Sequence, residues 1–200
     1  MSTDNPEPHR APLLWLRGQK AALGPYTREL VEKYWEWEQD PRVIIGYGRQ
    51  TPESLESRIE GYNSQARSMS NQERFTIYDL TADGASRPVG TTALRIDPYV
   101  RTAEYVILLG HEGRGRGLAT EATRLTLDYG FHITQLRAIW LKVLEHNTAG
   151  IRTYEAAGFK EVGRLRRAGY WLGTECDEIL MDAIPEDFPG PSTVRGLIEG

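Results

Sequence analysis

Cysteine is nearly absent: Cys176 is the one thiol in 200 residues, so the chain can form neither an internal disulfide nor a cysteine-based zinc site. The four histidines, His9, His111, His132 and His146, have no metal-ligand spacing. Basic residues are in the minority, 24 Lys plus Arg against 28 Asp plus Glu for a net charge of −4, which argues against a dedicated nucleic-acid binder. Nowhere do about 18 apolar residues run together. The polar start Met1–Arg10 lacks the basic-then-apolar order of a signal peptide. No internal repeat is present. Together these absences predict a cytoplasmic protein with no metal, no membrane and no nucleic acid among its partners.

With 40% apolar and 26% charged residues, the chain has the make-up of a folded domain rather than a disordered one. Its length suits one domain with trimmings. Residues 1–12 and 185–200, the latter with Pro185, Pro189 and Pro191, read as tails around a single domain at 13–184. Within it, Leu13–Leu23 supplies one strand or two short ones. A helix follows over Arg28–Gln39 with Thr27 as N-cap, stopped at Asp40-Pro41. A second starts at Thr51-Pro52 and runs to about Arg67. Phe75–Thr81, bounded by Asp83-Gly84, and Val89–Ile96 read as a hairpin, and Ala103–Leu109 as a third strand. Leu118, Ala122, Leu125 and Tyr129 share one helical face. Leu136–Leu144 is a strand and Asn147–Ala157 a helix closed by Gly158. Arg164–Trp171 and Glu178–Ala183 form a last pair. The fold class is mixed α/β.

The most informative stretch runs from Glu104 to Ala122. A strand feeds a turn containing Gly113, Arg114, Gly115, Arg116 and Gly117, and the turn feeds a helix. Successive backbone N–H groups in such a turn, aimed by a helix N-terminus, make an anion cradle, and glycine lets a phosphate approach the backbone. Arg114 and Arg116 add positive charge. The alternatives are a solvated flexible loop or a short Arg-Gly nucleic-acid segment. A P-loop is excluded because the Gly-Lys-Ser/Thr ending is missing, and the glycine spacing is not that of a dinucleotide fold.

Arg114-Gly115-Arg116-Gly117-Leu118-Ala119 fits the Arg/Gln-x-x-Gly-x-Gly/Ala signature of the GNAT acyl-CoA N-acyltransferases, which the chain resembles over roughly residues 18 to 184. A second block, Asn147 through Tyr154 to Gly158-Phe159, agrees, as does the weaker Trp35/Trp37 … Asp40-Pro41 pattern. The longer run around 103–122 is similar to the ribosomal-protein N-terminal acetyltransferase branch. The resemblance implies a mostly antiparallel mixed sheet splayed between its fourth and fifth strands, here about 103–110 and 136–143, with acetyl-CoA in the gap. It implies a pyrophosphate on amides of the 114–119 turn and a pantetheine arm bonded to backbone at Ile107, Leu108 and Leu109. Asn147 and Tyr154 would approach the thioester. The family holds both monomers and homodimers.

Amide formation from a thioester needs a neutral amine, an oxyanion stabiliser and an acid for the thiolate. A backbone N–H in 107–109 suits the oxyanion. Tyr154, two helical turns beyond Asn147, is the candidate acid; its alternative is a core aromatic. Glu104, on the strand face of Val106 and Leu108, is the candidate base through water; its alternative is a surface carboxylate paired with an arginine. Glu145 and His146 are substitutes, and the alternative for Asn147 is the N-cap of its helix. Tyr34, Trp35 and Trp37 can wall an acceptor site or fill the core, as Trp140 and Trp171 do. Arg164, Arg166 and Arg167 can meet a phosphate, an acidic acceptor or solvent. Cys176 has no base nearby, so acetyl transfer is read as direct, from acyl-CoA to a primary amine: a peptide or protein N-terminus, or a small amine-bearing metabolite or antibiotic. The alternative function is an inactive acyl-CoA-binding sensor of the same fold.

Overall fold

Leu13–Leu23 folds as two strands because Gly18-Gln19 turns the chain: β1 (Leu16–Arg17) pairs antiparallel with β2 (Ala21–Pro25). A computed structural model describes residues 11–47, 52–67, 71–81 and 86–199; the expected tail at Met1–Arg10, the helix start at Thr51 and the turn at Asp83-Gly84 lie outside them. The helix expected at Arg28–Gln39 opens as a 3-10 turn, Arg28–Leu30, and continues as α1 (Val31–Glu38). Thr27 precedes it in extended conformation but its side chain makes no cap bond. Asp40-Pro41 both ends α1 and starts α2 (Pro41–Gly46): the Asp40 carboxylate accepts the Arg42 N–H at 2.9 Å, with Pro41 in the first turn. α3 (Leu55–Arg67) begins later than its proline suggested, and Ser54 Oγ accepts the Ser57 N–H.

Then come β3 (Gln72–Asp79), β4 (Arg87–Asp97), β5 (Thr102–Leu109), α4 (Leu118–His132), β6 (Ala138–Leu144), α5 (Thr148–Ala157), β7 (Lys160–Trp171) and β8 (Thr174–Ala183). The last hairpin is longer than expected, since Lys160 and Cys176 already lie in paired strands. The eight strands form one mixed α/β sheet, ordered β1-β2-β3-β4-β5-β6-β8-β7, antiparallel throughout except at β5–β6. The N-terminal hairpin makes the splayed strands the fifth and sixth rather than the fourth and fifth.

Helices α4 and α5 cover one face. Leu127 and Phe131 of α4 pack there with Tyr105, Ile139, Leu141 and Met181, and Leu118, Ala122 and Leu125 with Leu23, Phe75 and Ile77. Helices α1–α3 cover the opposite face, where Val31, Tyr34 and Trp37 enclose Leu108. Each fully buried side chain of this size contributes about 1.5–3 kcal/mol.

The segment from Pro185, expected as extended tail, is instead a docked appendage with α6 (Thr193–Glu199) packed on α4. A buried carboxylate explains this. Asp128 accepts the Ser192 hydroxyl at 2.5 Å and the Val194 N–H at 3.0 Å, and it lies 2.7 Å from His132 Nδ1. Those bonds satisfy both its oxygens and seat Val194 in the core under Leu125.

Candidate functional site

The pairing between β5 and β6 is short. It holds Thr102↔Ala138, Ala103↔Ile139 and Glu104↔Trp140, then stops. β5 nevertheless continues against β4 as far as Gly90↔Leu109, and β6 against β8 as far as Leu144↔Glu178. The sheet therefore opens beyond Glu104, with Tyr105–Leu109 on one side of the gap.

Antiparallel pairing alternates which residues turn their backbone groups to the partner strand. The Ile107 carbonyl accepts the Tyr47 hydroxyl at 2.9 Å and the Leu109 carbonyl accepts Arg114, so both carbonyls face away from β4. The N–H groups of Ile107 and Leu109 share that orientation. Leu108 is of the other parity: its backbone groups turn to β4 and its side chain enters the α1 cluster. Of the three positions expected to bond a cofactor arm, the gap thus presents two.

β5 ends in a 3-10 turn, His111–Gly113, and the chain enters α4 through left-handed residues Gly115 (φ 72°) and Gly117 (φ 78°). An L side chain is strained at both, which accounts for the glycines. No side chain caps α4, so its first-turn N–H groups and positive dipole end are directed outward. A methyl added at Gly115 would meet nothing within 4 Å. The Glu121 carboxylate, although in this first turn, is committed elsewhere: it accepts the N–H groups of Gln19, Lys20 and Ala21 at 2.5–2.9 Å.

The two arginines do not turn their charge into the cradle. Arg114 pairs with Asp40 at 2.8 Å and Arg116 with the buried Asp79 at 2.5 Å, Arg116 also bonding the Thr81 hydroxyl. Burial acts to raise the pKa of Asp40, but the Arg42 N–H and Arg114 outweigh it and hold the carboxyl below its ordinary range. For Asp79, burial is likewise outweighed by the Thr81 N–H and hydroxyl and by Arg116. The arginines brace the turn, and the Arg114 N–H is itself bonded back to the His111 carbonyl at 3.4 Å, which leaves the amides from Gly115 onward to face outward. A lysine also approaches the turn: the Nζ of Lys20 stands 3.7 Å from where a Gly117 methyl would lie. Lys20 escapes sequence reasoning because it belongs to the β1–β2 turn. Leu118 is wholly buried, and Ala119 accepts the Thr123 hydroxyl within the first turn of α4.

Tyr154 and Glu104 stand on opposite faces of the sheet. Tyr154 of α5 lies beside Tyr105 and Phe159 on the α4–α5 face. Burial pushes its pKa up to about 12. Glu104 points to the α1–α3 face, where Arg95, directly opposite on β4, binds Oε2 at 3.0 Å. Asn147 caps α5, its Oδ1 accepting the Gly150 N–H at 3.0 Å. Its Nδ2 comes within 4.0 Å of where a methyl on Gly46 would stand, so it also reaches the end of α2. Glu145 is taken by the Asp177 N–H and Arg164, while His146 is exposed beside Trp171. Cys176 is buried, and burial raises its thiol pKa. Among the described residues no cluster of His, Cys, Asp or Glu has the make-up of a metal site.

A cavity of about 140 Å³ lies between α1–α3 and the sheet, floored by Val106 and Leu108 beside the opening. Its aromatic wall is Tyr26 and Tyr47; of the two readings for Tyr34, Trp35 and Trp37, core packing holds for Tyr34 and Trp37. Tyr34 bonds Thr76, Trp35 the Glu53 carbonyl, and Trp37 Glu112. Arg58 and Arg74, also unforeseen, line the cavity with Glu38 and Arg95. Arg164 and Arg167 are occupied by Glu161 and Glu175 on the far edge of the sheet.

Comparison with known proteins agrees with this architecture. The chain is similar to a spermidine N(1)-acetyltransferase of Vibrio cholerae, 32% identical over 126 residues, or 62% of this chain and 70% of that protein. It is similar to the probable N-acetyltransferase YjcK of Bacillus subtilis, 33% identical over 144 residues, 68% of this chain and 75% of that one. In three dimensions it matches the crystal structure of the Vibrio cholerae spermidine N-acetyltransferase in complex with CoA and spermine. There the TM-score is 0.77 at 24% identity, covering 86% of this chain and 99% of that one. These relatives do not single out the ribosomal-protein N-terminal branch. The family model for the acetyltransferase (GNAT) domain matches residues 21–160, which is the stretch that builds the open seam, the glycine turn and the cavity: the chain belongs to the GNAT acetyltransferase family and is an N-acetyltransferase.

Proposed function

We propose that the protein transfers an acetyl group directly from acetyl-CoA to a primary amine, with the open seam beyond Glu104 as the place of reaction. The observation that carries this reading is the conjunction of that seam with an uncapped, left-handed glycine turn at its end. The amides of the 114–119 turn from Gly115 onward hold the pyrophosphate, with Lys20 adding a cation. The N–H groups of Ile107 and Leu109 receive the extended arm and polarise the thioester oxygen.

The faces divide the labour. Glu104, its Oε2 steadied by Arg95, takes the amine proton through water on the α1–α3 side as the C–N bond forms. Tyr154 donates a hydrogen bond to sulfur on the α4–α5 side as the C–S bond breaks. A phenol with a pKa of about 12 is a weak proton donor toward an ordinary thiolate. The burial that weakens it also raises the proton affinity of a thiolate formed beside it, so donor and acceptor shift in the same direction. Asn147 orients the arm while capping α5. Buried Cys176 takes no part, which favours one direct transfer over a covalent acetyl-enzyme.

The acceptor is a small amine, as the names of the relatives suggest, or a peptide N-terminus. Acetyl-CoA titration by calorimetry, followed by free-thiol release over a panel of amines and peptides, tests the reading. Saturable binding with amine-dependent thiol release is expected. Binding without release for any amine would instead assign the domain to acyl-CoA sensing.

A further inference from the structure

The cavity floored by Val106 and Leu108 has an excess of positive charge. Three of its lining side chains are guanidiniums, Arg58, Arg74 and Arg95, against one carboxylate, Glu38. Glu38 binds Arg58 at 2.8 Å, and Arg95 binds Glu104 at 3.0 Å. Arg74 is left without a carboxylate ion-pair partner among the described residues. Its guanidinium lies 5.3 Å from the ring centre of Tyr26, the same ring that Arg58 approaches at 5.9 Å. Burial disfavours the charged form of Arg74 and the neighbouring Arg58 adds to this, while Tyr26 and Glu38 offset part of it; a guanidinium stays protonated in a protein. The Nε–H groups of Arg58 and Arg74 are both buried with no hydrogen-bond partner among the described residues. Such orphaned donors are rare and costly, and the anions that satisfy converging guanidinium forks are planar carboxylates and phosphates.

Register places this charge relative to the reaction. Arg74 on β3, Ala93 on β4 and Val106 on β5 form one row across the sheet. Two strand spacings separate Arg74 from Val106, about 10 Å, and both side chains line the one cavity. An anion held by Arg74 thus leaves only a few bonds to an amine at the opening.

On the reading that this cavity receives the acceptor, we propose that the acceptor amine also carries a carboxylate, held by Arg74 and Arg58, as in an amino acid or a short acidic peptide. The same guanidiniums work against polyamines, which bring several ammonium groups and no acceptor atom. In this respect the chain parts from its relatives named for spermidine.

The test uses the full chain with acetyl-CoA and amines matched in length: β-alanine against propylamine, aspartate and Asp-containing C-terminally amidated dipeptides against their uncharged counterparts, and spermidine. The expected kcat/KM is at least tenfold higher for each carboxylate amine than for its neutral partner, and lowest for spermidine. Arg74→Gln collapses that ratio, and Arg58→Gln serves if Arg74→Gln fails to fold. Equal or better use of propylamine or spermidine by the wild-type protein overturns the proposal while leaving acetyl transfer intact. If no amine releases thiol, the transfer reading fails, and the cavity is decided by binding alone: succinate raises the Tm where succinamide does not, and Arg74→Gln abolishes the shift. Equal effects of succinate and succinamide overturn the proposal.

Discussion

Gly115 and Gly173 offer a controlled pair for testing whether the glycine turn is an anion cradle. Both are left-handed, φ 72° and 83°, and a methyl on either meets nothing within 4 Å. Gly173 lies in the β7–β8 hairpin, which the sheet order separates from β5 and its glycine turn by β6. Replacement by alanine therefore imposes the same backbone penalty at both, about 1–2 kcal/mol, and no packing clash. For a chain of this size each kcal/mol lowers Tm by about 2–4 °C, so both variants melt about 2–8 °C below wild type. They diverge on addition of acetyl-CoA. At Gly115 the methyl occupies the space through which a phosphate reaches the amides. Loss of one charge-assisted hydrogen bond, about 1.5–3 kcal/mol, raises KM for acetyl-CoA about ten- to a hundredfold. At Gly173 it leaves KM unchanged. Melting curves with and without CoA, together with initial rates, read both quantities. Equal KM values in the two variants would refute the cradle, whatever their stabilities.

Tyr154→Phe lowers kcat about a hundredfold with little change in acetyl-CoA affinity, and an unchanged kcat assigns the ring to packing. Because burial keeps Tyr154 protonated up to about pH 12, its ionisation adds no alkaline limb near the ordinary value of 10.0; a limb there that vanishes in Tyr154→Phe contradicts the assignment. Glu104→Gln depresses kcat/KM, whereas His146→Ala, an exposed side chain, does not; an unchanged kcat/KM in Glu104→Gln removes it as the base. Lys20→Gln raises KM for acetyl-CoA several-fold and leaves kcat intact, so a selective fall in kcat would count against a phosphate-binding lysine. Asp128→Ala releases α6, seen as new proteolytic cleavage between Phe188 and Val194 at unchanged KM; wild-type resistance in that variant would mean that apolar packing alone holds the helix.

How far the sequence discloses this molecule depends on the range of the interaction. The glycine turn, the Asn147 cap and the closing Gly158 at φ 112° are local, and each is legible from a few neighbouring residues. The charge balance of the turn is not local. Arg114 meets Asp40 and Arg116 meets Asp79, carboxylates far away along the chain that only the sheet order brings near. The same holds for the cavity, where Tyr26, Arg58 and Arg74 come from a strand end, a helix and a second strand. The docked α6 was hidden for another reason. Its anchor, Asp128, is a single polar residue on a helix whose pattern otherwise reads as apolar, and proline-rich chain gives no sign of a distant partner.

The seam also divides the sheet mechanically. On one side β1–β5 form a leaf, on the other β6–β8, and their strands pair over just Thr102–Glu104, extended by the bond from the Arg137 N–H to the Arg101 carbonyl. Across the remainder each leaf exposes a row of strand hydrogen-bonding groups to the other, an edge inside the sheet rather than at its rim. Such an edge is closed to another protein's strand, which needs the rim, but open to a single thin extended chain. A pantetheine arm lying there would act as a ninth strand and tie the leaves together. Amide protons of Tyr105, Ile107 and Leu109 and of the later half of β6 would then slow their exchange in concert, so that the ligand registers as added sheet and not merely as a filled pocket.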